Sequence, residues 1–405
     1  MLRMKIGIVK ETKNPPDKRV PLSPDNCVEL KALFPEVKLV VQSSDIRAFK
    51  DSEYSNLGIE VVSDVSDCDV LLGVKEVKKS ELLSNKTYFF FSHTIKEQPY
   101  NADLLRLMLK KNIKMVDYET LTYPKNGRIL GFGRYAGIVG AYNAFLAYGL
   151  KSGSYSLKPA NQCHDYKELR QELKKVKLPS DYKIIISGDG RVGKGAEEIL
   201  HEVEGVFEVS PMDFLTSTRN KPIYTQLSVK EYNKRKDGQS FTKGDFYKNP
   251  ELFESNFKRF SDMGDMYIAC HYWDADAPFI FSREDVKHPD FNLKIVADIS
   301  CDIDGPVAST IRPSTIDEPL YGYNPQTESE VDFDNENAIG VMAVDNLPCE
   351  LPRDASEDFG NELITKVLPN LIGEDYETII ERATICENGE LTSYFGYLQG
   401  YVEGN

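Results

Sequence analysis

Midway along the chain, the stretch IIISGDGRVGKGAEEIL, Ile184 to Leu200, joins an apolar run to a helical pattern through glycines at 188, 190 and 193. This GxGxxG spacing allows a tight turn, lets backbone approach a pyrophosphate and lets helix and strand pack closely, while the helix start offers amide donors to the anion. A bare GxGxxG is weak, and a plain strand–helix turn is the alternative. Here KIIIS precedes the glycines and AEEILHEV follows them, which is the context a dinucleotide turn requires. Gly188, Gly190, Arg191, Val192 and Gly193 are therefore the candidate cofactor-binding residues, with Gly195 and Ala196 keeping the helix start slim. The turn commits its surroundings to a parallel α/β sheet, yet more than 180 residues come before it.

Those residues alternate strand and helix from the start. MKIGIVKE, KLVVQSS, CDVLLGVKEV, KTYFFFSHT and IKMVDYET read as strands; SPDNCVELKALF, with Ser23 as N-cap and Pro24 at the first helical position, and NADLLRLMLKKN read as helices. The first 120 or so residues thus form a parallel-sheet domain of their own. Gly133 to Leu150 is small-residue-rich and apolar at helical spacing, a long connecting helix packed closely on a neighbour. The second sheet takes YKIIISG, VFEVS, DMYIACHY, KIVADIS and a strand near IGVMAVDN, after which ASEDFGNELITKVLPNLI returns the chain to the first domain. The expected fold is α/β, two Rossmann-like domains with parallel sheets and an active-site cleft between them. Residues 1–132, completed by 353–405, make the first domain, and 133–352 the dinucleotide-binding one. The polar stretch from Thr216 to Ser261 is long for a strand-to-strand connection and is expected as a surface insertion.

Composition excludes several classes. A formal charge of −15 repels nucleic acid and anionic membrane surfaces, and 41% hydrophobic residues with 11% aromatics suit a globular interior. No run approaches a membrane span, and MLRMKIGIVKETKN lacks a secretory pattern, which gives a cytoplasmic expectation. Seven scattered cysteines without CxxC spacing argue against a disulfide framework and against a zinc site.

Ionisable residues follow three successive strands of the first domain: Lys75 and Glu76 in LLGVKEV, His93 in FFFSHT, Asp117 and Glu119 in MVDYETL. Carboxyl ends of parallel strands form one edge of a sheet, where ligands bind, so these side chains make a proton-transfer set. Arg19 in KRVPLSP adds a fixed charge able to hold a carboxylate through two hydrogen bonds. Singly, Lys75 and Glu76 read equally well as a solvated pair and His93 as an ordinary strand-end histidine, while Arg19 alone is more often a surface arginine. The acid that NAD sites carry about 20 residues beyond the glycines is missing: Ser210 and Pro211 stand after VFEV, and Asp213 is the nearest carboxylate.

KETKNPPDKRVPLSP, GVKE, FSHT, VDYE, GFGRYAGIVGA, the glycine turn, VADISCDIDG and VDNLPCELPRDAS occur in this order over nearly the whole chain. The series resembles the lysine-forming saccharopine dehydrogenases and related lysine-ketoglutarate reductase domains, and more loosely alanine dehydrogenase, the parent family. The resemblance implies acid–base roles for Lys75 and His93, tuned by Glu76 and Glu119. It implies substrate-carboxylate binding by Arg19 and Arg128, and places Asp302 near the nicotinamide. It also implies that residues 1–132 with 353–405 form a substrate-binding domain, with the active site between the two domains, and NAD as cofactor, with NADP not excluded; Asp213, the nearest carboxylate downstream, is the expected ribose contact by its proximity in sequence. Arg219 and Lys221 would cover the ribose if the preference were reversed. Three departures stand out: Ser210 and Pro211 at the ribose position, the long 216–261 stretch, and Arg134 where a fungal sequence has an aromatic residue.

The implied reaction is reversible oxidative cleavage of saccharopine to lysine and 2-oxoglutarate, which needs hydride removal, a proton taken from nitrogen and water added to an imine. Two acid–base groups suffice, and which of Lys75 and His93 serves the amine stays open. Partners are then amino-acid and 2-oxo-acid small molecules, without nucleic acid or membrane, with a homo-oligomer left open. The alternatives are an alanine dehydrogenase-type oxidative deaminase and a dinucleotide-binding sensor without turnover.

Overall fold

The computed structural model describes residues 4–13, 16–124, 127–218 and 220–404. The chain divides into two compact units, Met1–Phe132 with Pro352–Asn405, and Gly133–Leu351. Among the described residues each unit is built on one eight-stranded sheet.

In the first unit β1 (Lys5–Ile8), β2 (Lys38–Gln42), β3 (Glu60–Val62), β4 (Val70–Lys75), β5 (Thr87–Phe91) and β6 (Lys114–Asp117) lie in the order β6-β5-β4-β1-β2-β3, all parallel. Alternate residues feed different cores: Phe89 and Phe91 join one hydrophobic cluster, Tyr88 and Phe90 another. Both faces are covered, which is why TYFFF reads as an unbroken apolar run. Ser23 caps the helix Pro24–Leu33, accepting from the Asn26 N–H at 3.2 Å while Asn26 accepts back from the Ser23 N–H at 3.1 Å. The strand sequence reverses direction between β1 and β4, so a topological switch point lies at their carboxyl ends.

The second unit begins with the helix Gly133–Ser152. Its strands are β7 (Lys183–Ser187), β8 (Phe207–Glu208), β9 (Ile223–Leu227), β12 (Met266–Ala269), β13 (Ile295–Asp298), β14 (Leu320–Asn324), β15 (Ser329–Val331) and β16 (Ile339–Met342); β10 (Asn233–Arg235) and β11 (Phe253–Ser255) form a separate antiparallel pair. The sheet order is β15-β14-β16-β13-β12-β7-β9-β8. The strands from β8 to β16 are parallel, and β14 and β15 add an antiparallel hairpin at one edge.

The 216–261 stretch is not a surface insertion. It supplies β9, which pairs along its full length with β7 and displaces β8 to the sheet edge. IYTQL has the β-branched and aromatic content of a strand, and four of its five residues are buried. Tyr232, Phe246, Phe253, Phe257 and Phe260 from the same stretch are buried in the unit's core.

The helix Gly133–Ser152 and the helix after the glycine turn, Arg191–Glu202, pack backbone against backbone. A methyl group added at Gly137 would sit 1.9 Å from the Val192 carbonyl oxygen, and one at Gly195 would sit 2.0 Å from that of Arg134. Farther along the first helix, the Asn143 side-chain amide donates to buried Glu350 at 2.9 Å. Burial pushes the Glu350 carboxyl up from 4.5 to about 8, with the Asn143 and Asn161 hydrogen bonds pulling the other way. A carboxyl raised in the folded state binds its proton more tightly there. The stability it contributes is complete below about pH 4.5 and is lost as pH rises through about 8. Glu350→Gln is expected to flatten the loss of urea-unfolding free energy across that window by at most about 5 kcal/mol. An unchanged slope would mean that the folded protein holds Glu350 ionised.

After Leu351 the chain returns to the first unit through the helix Pro352–Glu362. β17 (Thr384–Glu387) then pairs antiparallel with β6, and β18 (Glu390–Leu391) with β17. Asn388 and Gly389, at φ 54° and 81°, make the two-residue turn between them.

Candidate active site

Lys75 ends β4 and is in register with Phe91, the last residue of the neighbouring β5; His93 follows two residues later. The two side chains of the expected acid–base pair therefore start from adjacent strand ends of one sheet. His93 adopts a left-handed backbone, φ 54°, and its ring stacks on Phe91 at 6.3 Å. Its Nδ1 lies 3.1 Å from Oε2 of Glu119. Burial alone would raise the Glu119 carboxyl, but the His93 hydrogen bond and the charges of Lys96 and Arg128 outweigh it and hold it at about 2. An ionised carboxylate only accepts, so Nδ1 is the donor of this pair, and in the neutral imidazole Nε2 is the acceptor. Asp117, fully buried, is structural: its carboxylate accepts from the Ser92 N–H and hydroxyl and from the Glu119 N–H, tying the ends of β5 and β6 together.

Other residues depart from their expected partners. Glu76 pairs with Lys13 at 2.7 Å. The carboxylate that grips the end of β4 is Glu11, which accepts from the Val74 N–H at 2.6 Å and the Lys75 N–H at 2.9 Å. Glu11 thus bridges β1 and β4 at the switch point, and burial pushes it up to about 8. Arg19 is 3% exposed and forked onto Asp17, Nε to Oδ1 at 3.0 Å and Nη2 to Oδ2 at 2.6 Å, with its guanidinium 4.2 Å over the Phe132 ring. The Arg19 and Lys75 charges act against burial to hold Asp17 below its ordinary value. Arg128 donates to Glu119 at 3.0 Å. Both arginines expected at substrate carboxylates therefore already face carboxylates of their own.

In the second unit Gly188 has φ 93°, and a methyl group there would meet the Cys270 carbonyl oxygen at 2.6 Å; on Gly193 it would meet that of Gly188 at 2.1 Å. On Gly190, the N-cap of the helix, it would meet nothing within 4 Å. Two glycines serve the turn and the third borders open space, which fits close approach of a pyrophosphate. Arg191 and Val192 begin the helix, and Asp302 lies in the loop after β13, its carboxyl raised by burial and then by the charge of Asp298. Asp298 is held by Ser300, Cys301 and Thr310.

Strand order puts a different carboxylate beside the glycine turn from the one expected. Asp213 follows the edge strand β8, and its carboxylate accepts from the Ser210 hydroxyl at 2.8 Å. The strand beside β7 is β9, with Leu227 level with Ser187 and its carbonyl accepting from the Gly188 N–H at 2.8 Å. Next comes Ser228, whose N–H and hydroxyl donate to Glu231 at 2.8 and 2.5 Å. Glu231, not singled out in the sequence, is thus the carboxylate at the end of the strand adjoining the glycine turn. Lys221 lies 5.0 Å from the ring of Phe207 on β8, and Arg219 lies outside the described residues. A second unanticipated residue is His271, just beyond β12. Burial lowers it to about 4, its Nδ1 lies 3.0 Å from the Ser187 hydroxyl, and its buried Nε2 has no hydrogen-bond partner among the described residues.

Residues 7–139 match the alanine dehydrogenase/PNT N-terminal domain family. Over 99% of its length the chain is 29% identical to an alpha-aminoadipic semialdehyde synthase of Arabidopsis thaliana, covering 42% of that protein. The counterpart in Mus musculus is also 29% identical, over 97% of this chain and 47% of its own. The chain spans less than half the length of these relatives. The NAD(+), L-lysine-forming saccharopine dehydrogenase of Emericella nidulans is 25% identical over 90% of this chain and 91% of its own. Among solved structures an L-alanine dehydrogenase superposes with a TM-score of 0.64 at 16% identity, covering 99% of both chains. The transhydrogenase of Sinorhizobium meliloti gives 0.59 at 15% identity, over 96% of this chain and all of its own. By these relatives and this fold, the chain is a homologue of the alpha-aminoadipic semialdehyde synthases and saccharopine dehydrogenases, built on the architecture of alanine dehydrogenase.

Proposed function

We propose that this chain is an NAD-dependent oxidoreductase that interconverts saccharopine with lysine and 2-oxoglutarate. The observation that carries the reading is the pair Lys75 and His93 at adjacent strand ends, with the His93 tautomer fixed by Glu119. When bound, the nicotinamide supplies the hydride acceptor or donor; the turn Gly188–Gly193 and the start of its helix would hold its pyrophosphate. The remaining steps belong to this chain. In the oxidative direction one base takes the proton from the secondary amine as hydride departs, and a second takes a proton from the water that adds to the imine. The carbon–nitrogen bond then breaks as the leaving amine is protonated. His93 Nε2 suits either proton transfer, and Lys75 serves the other. Arg19 and Arg128, each balanced by a carboxylate, suit a substrate that carries several carboxylates.

The alanine dehydrogenase match of residues 7–139 favours a second reading, oxidative deamination of a smaller amino acid. NADH oxidation should be followed with 2-oxoglutarate or pyruvate, each with lysine, ornithine or ammonia. A rate that requires lysine and 2-oxoglutarate supports the proposal, and ammonia with pyruvate supports the second reading. No rate with any pair defeats both and leaves a dinucleotide-binding sensor.

We assign the ribose contact to Glu231 in place of Asp213, because β9 and not β8 adjoins the glycine-turn strand. A carboxylate there accepts from the ribose hydroxyls and repels a 2′-phosphate. NADH is expected to exceed NADPH by at least about tenfold in kcat/KM, roughly 1.4 kcal/mol. Glu231→Gln, which can keep the cap on Ser228 while removing the charge, should narrow that ratio several-fold, whereas Asp213→Asn should leave it unchanged. A ratio that responds to Asp213 and ignores Glu231 would reverse the assignment.

A further inference from the structure

The glycine turn carries a negative charge of its own. Asp189 sits between Gly188 and Gly190, beside the amides that a dinucleotide's pyrophosphate would use, and an ionised carboxylate there opposes a dianionic ligand. The structure compensates from a distant part of the chain: the Lys243 ammonium donates to Asp189 Oδ1 at 2.5 Å across 54 residues. Lys243 begins the short helix Lys243–Lys248, capped by Thr242 through the Asp245 N–H. That helix is held in place by Phe246, buried edge-on against Phe253 at 5.1 Å, and by Tyr247 edge-on against Tyr272, two residues beyond Cys270. Its position is therefore fixed by packing and does not depend on the ion pair alone. The Lys243 and Asp189 side chains are 46% and 45% exposed, so the ammonium is accessible to a ligand seated on the turn.

We propose that Lys243 is a pyrophosphate-binding residue, offsetting Asp189 and sharing its ammonium with the cofactor's phosphates. The inference rests on the dinucleotide reading of the turn. It gives the 216–261 stretch a part in cofactor binding beyond the strand it contributes, and it adds a cation to Arg191 of the turn helix itself. Because the pair is half exposed, the effect should weaken with salt.

The test is equilibrium binding of NADH and ADP-ribose by fluorescence and calorimetry at low and moderate ionic strength, with adenosine as a ligand that lacks the pyrophosphate. Wild-type protein that binds neither NADH nor ADP-ribose defeats the dinucleotide reading itself. Given wild-type binding, Lys243→Gln should raise both dissociation constants about tenfold and leave adenosine within twofold, while Lys243→Arg keeps most of the affinity. Adding Asp189→Asn to Lys243→Gln should recover most of the loss, because the uncompensated charge is then gone. Lys243→Gln binding NADH within twofold of wild type would overturn the inference. So would an equal loss for adenosine, or a double variant no better than Lys243→Gln, since either outcome describes a clasp that only holds the helix in place.

Discussion

Replacing Lys75 by methionine is expected to lower turnover by about two to four orders of magnitude, the scale of a lost acid–base group, while NADH binding persists. His93→Gln should behave alike. The geometry separates these losses from general damage, because Lys75 and His93 end adjacent strands whose positions are set by the buried Val74, Phe89 and Phe91. Lys75 lies outside that core, and the half-buried His93 ring stacks on its edge at Phe91. Glu119→Gln offers a further distinction. With the carboxylate gone, Nδ1 is no longer obliged to carry the proton, so kcat should fall and its pH profile should shift while substrate KM changes less. Wild-type rates across the whole pH range in both the Lys75 and His93 variants would remove the pair from the chemistry.

Gly137→Ala should be the most damaging single methyl group in the second unit. The added carbon would lie 1.9 Å from the Val192 carbonyl oxygen and 2.7 Å from the Ala196 nitrogen, both of them backbone atoms that no rotamer change can move aside. The helices Gly133–Ser152 and Arg191–Glu202 would have to separate, at a cost of about 3 kcal/mol or more for overpacking at a backbone contact. Because the second helix carries the glycine turn, the displacement should also weaken NADH binding. Urea unfolding and an NADH titration on one preparation measure both effects. A variant with wild-type stability would mean that the two helices separate freely, against the close packing that Gly195 shares.

The gathering of the candidate residues at strand ends was legible because they stand where sequence periodicity stops. Lys75 and His93 each follow an apolar run too continuous to be anything but a doubly covered strand, Glu119 follows the short β-prone stretch KMVD, and the glycines sit between a strand and a helix. Glu11 was illegible for the opposite reason. It lies in KETKN, a polar run that looks solvated, and its burial comes from the return of β4 alongside β1, a long-range pairing that local pattern does not encode. Glu231 drew no notice because IYTQL was overlooked as a strand, so its neighbour Ser228 and the carboxylate folded onto it fell within the stretch read as an insertion. One signal went unused. Asn388–Gly389 between two short β-prone runs marks a hairpin, and it would have identified the C-terminal strands that finish the first sheet.

The interrupted layout of the first unit has a chronological side. β6 leaves the ribosome early, but its antiparallel partner β17 begins only at Thr384, after the entire second unit has been made. At about 5–20 residues per second, translation from Asp117 to Thr384 takes roughly ten to fifty seconds. Throughout that interval the nascent first sheet presents an open, hydrogen-bond-hungry border at Lys114–Asp117, while residues 133–351 already have every strand of their own sheet. The unit begun first is therefore finished last, and until then the unpaired border of β6 is open to pairing with a neighbour of its own kind.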